Sequence, residues 1–138
     1  MRKSREGKAG PTGLPTDAEL SRHFDRPGVA AVYLFGSFVH GAAHRLSDID
    51  LAYLGTDSET EERVFDDLYE SLQRAFGEGN FDLVPLRRAP LHLQFAIATE
   101  GKLLLSRDPV LTERFGTFAI TRYLDFKPHR DAYFATKS

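Results

Sequence analysis

The sequence predicts a mixed α/β domain, a small mixed β-sheet with helices packed on it. Three observations predict it. Val29 to Phe35 is an unbroken apolar run of residues that suit strands, as expected for a strand buried on both faces. Val64, Phe65, Leu68, Leu72 and Phe76 recur at helical spacing before Gly77, the mark of an amphipathic helix. Strand-like and helix-like segments then alternate along the chain, most simply one sheet covered by helices. With 138 residues, 41% hydrophobic and 28% charged, there is enough chain for one domain with its own core and too much apolar content for general disorder.

Each element has a local reason. Residues 1–15 hold two prolines, three glycines and scattered charge and read as a flexible lead-in; residues 16–138 read as the single domain. Thr16 and Glu19 stand in capping-box spacing ahead of Leu20 and Phe24, so a short helix is expected before Pro27 and Gly28. After the strand at 29–35, residues 37–41 suit a helical turn or tight loop. Residues 48–54 alternate polar and apolar at their start and read as a second strand. Ser58 and Glu61 make a second capping-box pair, opening the helix that stops at Gly77. Residues 81–86 read as a third strand. Pro90 starts a helix carrying Leu93, Phe95, Ile97 and Ala98 and ending at Gly101, followed by a short strand at 102–105. Asp108 and Pro109 are an N-cap and a first-turn proline, opening a helix through Phe115, Phe118, Ala119 and Tyr123 that Pro128 breaks or kinks.

Composition removes several functions. There is no cysteine, hence no disulfide, thiolate metal site or cysteine nucleophile, and a reducing cytoplasm is the natural setting. Net charge is −2, without the basic footprint of a protein that lives on phosphate backbones, so no direct nucleic-acid binding is expected. The longest apolar run is far short of the ~20 residues a membrane helix needs. Arg2, Lys3, Arg5 and Lys8 precede no apolar segment and read as a solvated tail rather than a secretory signal.

The residues that call for chemistry are acids inside strands. Asp48 and Asp50 sit two apart in an otherwise apolar strand, and residues i and i+2 of a strand share a face. Two carboxylates side by side repel; a divalent cation removes the conflict, and hard oxygen donors suit Mg²⁺ or Mn²⁺. Asp82, between Phe81 and Leu83, completes the cluster if its strand neighbours the second. Three such carboxylates can hold two Mg²⁺ ions for in-line phosphoryl or nucleotidyl transfer. The plainer reading of an isolated Asp-x-Asp is a loop cap and a solvent-facing edge residue. Gly36 and Ser37, directly after the first strand, can offer backbone N–H groups and a hydroxyl to a phosphate, and glycine permits close approach. Gly-Ser alone is usually a turn; the three-part pattern is far more specific.

Gly36–Ser37, Gly41 and Ser47–Asp48–Ile49–Asp50–Leu51 resemble the nucleotidyltransferases of the polymerase-β type. The short chain, with Glu100–Gly101–Lys102–Leu103–Leu104, Ser106–Arg107–Asp108 and Arg122–Tyr123–Leu124–Asp125–Phe126 near its end, is similar more narrowly to the MntA antitoxins that partner HEPN-domain toxins of the HepT kind. This resemblance implies the nucleotidyltransferase fold and an adenylyltransferase that moves AMP from ATP to a tyrosine hydroxyl of the toxin RNase, in a hetero-oligomer. It implies that Gly36 and Ser37 hold the triphosphate. Asp48 and Asp50 would bind both metal ions, and Asp82 the catalytic one while helping to activate the hydroxyl. Ser47 joins the nucleotide site by its place in the motif. Many relatives carry Arg before the second glycine, where this chain has His40; Arg45, in the loop before Asp48, would be the substitute phosphate contact.

Other readings share these residues. A small-molecule nucleotidyltransferase of the aminoglycoside-modifying sort uses the same triad but usually carries extra chain for its acceptor. A binding-only antitoxin has no use for three crowded acids. His40 and His44 are more often solvated than phosphate-bound. Arg87 and Arg88 could reach phosphate or an acidic partner, or form a solvated turn. Glu59, Glu61, Glu62, Asp66, Asp67 and Glu70 read as a solvated helix face. Phe115, Phe118, Tyr123, Phe126, Tyr133 and Phe134 must include core residues, and any exposed together would mark an interface.

Overall fold

A computed structural model describes residues 15–36 and 49–137, with side chains as far as 126. The elements run α1 (Asp17–Arg22), β1 (Val29–Phe35), β2 (Ile49–Gly55), α2 (Ser58–Phe76), β3 (Phe81–Pro85), a 3₁₀ turn (Leu86–Arg88), α3 (Leu91–Glu100), β4 (Lys102–Ser106) and α4 (Pro109–Lys137). The strands form one sheet in the order β3-β2-β1-β4. β1 is antiparallel to both β2 and β4, whereas β2 and β3 are parallel. A parallel pair needs a long crossover, and the 19-residue α2 supplies it.

The sheet is the middle of three layers. Toward α1 and α2 it presents Val32, Leu34, Ile49, Leu51, Tyr53, Phe81 and Leu83, which pack on Leu20, Phe24, Val64, Leu68 and Leu72. Toward α3 and α4 it presents Ala31, Tyr33, Ala52 and Leu54, which meet Leu86, Ile97 and the half-buried Leu93, Leu111 and Phe115. β1 is covered on both faces, which explains its unbroken apolar run. Each fully buried Leu or Ile adds about 1.5–3 kcal/mol of transfer free energy.

The helix ends follow local chemistry, with two departures from expectation. Thr16 Oγ1 accepts from the Glu19 amide at 3.1 Å, and Asp108 Oδ1 accepts from the Leu111 amide at 3.1 Å, both as expected. At α2 the cap is Asp57, whose Oδ1 accepts from the Thr60 amide at 2.8 Å, and Ser58 is already helical. An ionised carboxylate one residue earlier outcompetes the serine for the free amides. Glu61 is therefore no capping partner, and it also leaves the expected solvated face: it is 1% exposed, while Glu59, Glu62, Asp66, Asp67 and Glu70 remain exposed. The second departure concerns one of the two outcomes expected at Pro128: the helix does not break there, because α4 continues to Lys137. A proline inside a helix forfeits one backbone bond.

Candidate active site

The site grows from the start of β2. Asp50 lies directly opposite Asp82 across the parallel ladder. Neighbouring strands are about 4.8 Å apart, so the two acids stand side by side and project to one face. That is the α3/α4 face, since Ala52, two residues on, belongs to the core beneath those helices. On the other flank of β2, Phe35 pairs with Asp50 and Gly36 follows. Gly36 has φ +82°, and a Cβ placed there would lie 2.3 Å from Asp50 Oδ2. Glycine is thus required twice: by the left-handed backbone and by the carboxylate packed over it. Asp50 is half-buried and Asp82 exposed.

Two carboxylates in register, on one face and beside a bare backbone, suit a hard divalent cation such as Mg²⁺. No group of three or more metal-capable side chains occurs among the described residues. Asp48, Ser37, Arg45 and Ser47, together with His40, Gly41 and His44, lie outside them.

Arg87 and Arg88 take another role. The Arg87 amide donates to both carboxylate oxygens of Glu61 at 3.0 and 3.2 Å, its Nε donates to the Gly55 carbonyl at 3.0 Å and its Nη2 to the Thr56 carbonyl at 3.3 Å. The Gly55 amide also donates to Glu61 at 3.0 Å. Tyr53 adds a short hydrogen bond from its hydroxyl to the Glu61 carbonyl. This knot ties β2, α2 and the 3₁₀ turn together. It sits five residues along β2 from Asp50, about 16 Å at ~3.3 Å per residue, so Arg87 is engaged in this knot and away from the acids. Arg88 pairs with Glu62 at 3.8 Å across an exposed surface. Burial raises the Glu61 carboxyl above its ordinary pKa, opposed by the amides of Gly55 and Arg87 and by the two arginines.

One part of the site was not expected. A cleft of about 190 Å³ opens beside Gly36, lined by Phe35, Gly36, Ala96, Ile97, Glu100 and Gly101. It brings the last turn of α3 to the end of β1, a pairing no sequence spacing signals; the only local hint was a glycine closing a helix. The C-terminal aromatics divide: Phe115 packs on the core, Tyr123 stacks on Phe95 with centroids 4.2 Å apart, and Phe118 and Phe126 are exposed, as are Val110 and Leu124. The side chains of Tyr133 and Phe134 lie outside the described residues.

Comparison with known proteins places this arrangement. Residues 19–110 match the family model described as polymerase beta, nucleotidyltransferase. The chain is 34% identical over 106 residues to protein adenylyltransferase MntA of Shewanella oneidensis, covering 77% of this chain and 74% of that protein. It is also similar to a chain of a crystal structure of a toxin–antitoxin with AMP-PNP, at 31% identity and TM-score 0.64, over 86% of this chain and 93% of the other. A further likeness is to a chain of the complex of tri-AMPylated Shewanella oneidensis HEPN toxin with MNT antitoxin, at 27% identity and TM-score 0.58, over 99% and 98% of the two chains. The family match spans both acid-bearing strands and the glycine ahead of them, and on that footing the chain belongs to the polymerase beta nucleotidyltransferase family.

Proposed function

We propose that this chain is an antitoxin that transfers AMP from ATP to a tyrosine hydroxyl of a HEPN-domain toxin RNase and so neutralises it, in the cytoplasm. The observation that carries the reading is the register of Asp50 on Asp82 beside Gly36: a binding-only protein has no physical reason to crowd two carboxylates against a left-handed glycine. The relatives support it, since one is a protein adenylyltransferase and others were crystallised as toxin–antitoxin complexes.

In this reading Asp48 and Asp50 hold two Mg²⁺ ions (or Mn²⁺), and Asp82 completes the site of the catalytic one. When bound, these ions neutralise the phosphate oxygens and lower the pKa of the attacking hydroxyl. Gly36 and Ser37 cradle the triphosphate with backbone N–H groups and a hydroxyl, and Ser47 and Arg45 add contacts to it. Asp82, exposed where Asp50 is half-buried, would face the acceptor and take up the proton as the tyrosine oxygen attacks the α-phosphorus. The bond from that phosphorus to the bridging oxygen of the β-phosphate breaks, and pyrophosphate leaves. Positioning is the larger part of such catalysis.

The test is to incubate the purified chain with a HEPN-domain partner protein, ATP labelled on the α-phosphate, and Mg²⁺. Label is expected on a tyrosine of the partner, and Asp50→Asn or Asp82→Asn should abolish it while leaving the fold intact. If the doubly substituted chain still neutralises the partner in full at native expression, occlusion is the mechanism instead.

A further inference from the structure

We infer that the cleft between the end of β1 and the last turn of α3 receives the ribose of the nucleotide, and that Glu100 accepts a hydrogen bond from a sugar hydroxyl there. The inference rests on the nucleotidyl-transfer reading above and assigns a part of the nucleotide that the acidic residues leave open.

Position comes first. The cleft begins at Gly36, whose backbone lies against the Asp50 carboxylate. In the nucleotidyl-transfer reading the α-phosphate would sit beside that carboxylate through bound Mg²⁺, and it carries the ribose as its ester, so the sugar is the next group within reach. Size agrees: about 190 Å³ is below the roughly 300–1,000 Å³ of pockets for whole drug-sized ligands, which fits one ring and not an entire nucleotide.

Charge decides which part enters. Phe35, Ala96 and Ile97 make the walls apolar, and Glu100 is the ionisable group lining the cleft among the described residues. Glu100 is also the last residue of the ten-residue α3, so the negative end of the helix lies at the cleft. An anionic carboxylate and a helix C-terminus both repel phosphate. Both accept hydrogen bonds, and a ribose offers two hydroxyl donors. Gly101 keeps the wall in place, since a Cβ there would meet the Ile97 carbonyl oxygen at 2.6 Å.

The experiment measures Mg²⁺-dependent binding of ATP, 2′-deoxy-ATP, 3′-deoxy-ATP, inosine triphosphate and inorganic tripolyphosphate to the full chain. The native chain should prefer ATP over at least one deoxy analogue by about tenfold or more, the scale of a hydrogen bond to a charged group. Glu100→Ala should bring ATP down to the level of that analogue and leave tripolyphosphate unchanged. Ala96→Phe, which fills the cleft, should weaken every nucleotide and spare tripolyphosphate. Glu100 is exposed, so its variant keeps the fold. An ATP-to-deoxy ratio that Glu100→Ala does not move overturns the inference, as does a variant that changes only the ratio of ATP to inosine triphosphate, which would mean that Glu100 reads the base. In both cases the native chain still binds ATP and the function stands. If the native chain binds ATP no better than Asp50→Asn, the function itself fails and the cleft assignment with it.

Discussion

Gly36→Ala is the sharpest single perturbation of this site. The added methyl would sit 2.3 Å from Asp50 Oδ2, where contacts under 3.0 Å are essentially never seen, so the carboxylate must retreat by about 0.7 Å or more. The residue would also hold φ +82°, which costs a non-glycine roughly 1–2 kcal/mol. The stability loss should stay near that figure, because the methyl enters a rim and not the core. The catalytic loss should be larger, since a misplacement of about 1 Å at a reacting centre can cost ~100-fold. The assay is transfer of labelled AMP to the partner protein, as kcat/KM, beside urea unfolding of the same sample. A fall of about 100-fold with a stability loss of about 1–2 kcal/mol is expected. Activity within threefold of the native chain would refute the reasoning, because it would mean that Asp50 has no need of its position over Gly36.

Other outcomes follow from the same geometry. Glu61→Ala strips the partner from the amides of Gly55 and Arg87, and at about 1–3 kcal/mol per stranded donor urea unfolding should record a loss of roughly 2–6 kcal/mol. Because burial raises the Glu61 pKa in the folded chain, the folded state holds that proton more tightly than the unfolded one. Stability from this group is full below its ordinary value of 4.5 and falls as pH rises through the elevated folded value; Glu61→Gln should flatten that slope in urea titrations across the range. Arg87→Ala loses bonds to the Gly55 and Thr56 carbonyls and should cost about 1–2 kcal/mol with KM for ATP unchanged; a tenfold rise in KM would return Arg87 to the phosphates. Saturating Mg²⁺ with ATP should raise the melting temperature by about 5–10 °C, and Asp82→Asn or a chelator should remove the shift.

Much of this protein was legible before any coordinates. Val29 to Phe35 reads as a two-sided buried strand, and Val64 to Phe76 as an amphipathic helix, from their apolar spacing and strand-suited residues. The acids at 48, 50 and 82 stood out because a carboxylate inside an apolar strand is costly without a partner. Local chemistry misled where two neighbours competed for one task, as with Asp57 and Ser58 at the cap of α2. Glu61 misled for a different reason: its position on a helix says nothing of the Gly55 and Arg87 amides that the fold brings to it. What the sequence by itself determined was the set of elements and the candidate acids, since both follow from the period and the polarity of residues near one another in the chain. Only the tertiary structure decided that β3 lies parallel beside β2 with Asp82 level with Asp50, and that the end of α3 closes a cleft against Gly36. Those juxtapositions join residues more than thirty positions apart in the chain, and strand order and helix packing are set by the core as a whole, not by any local stretch.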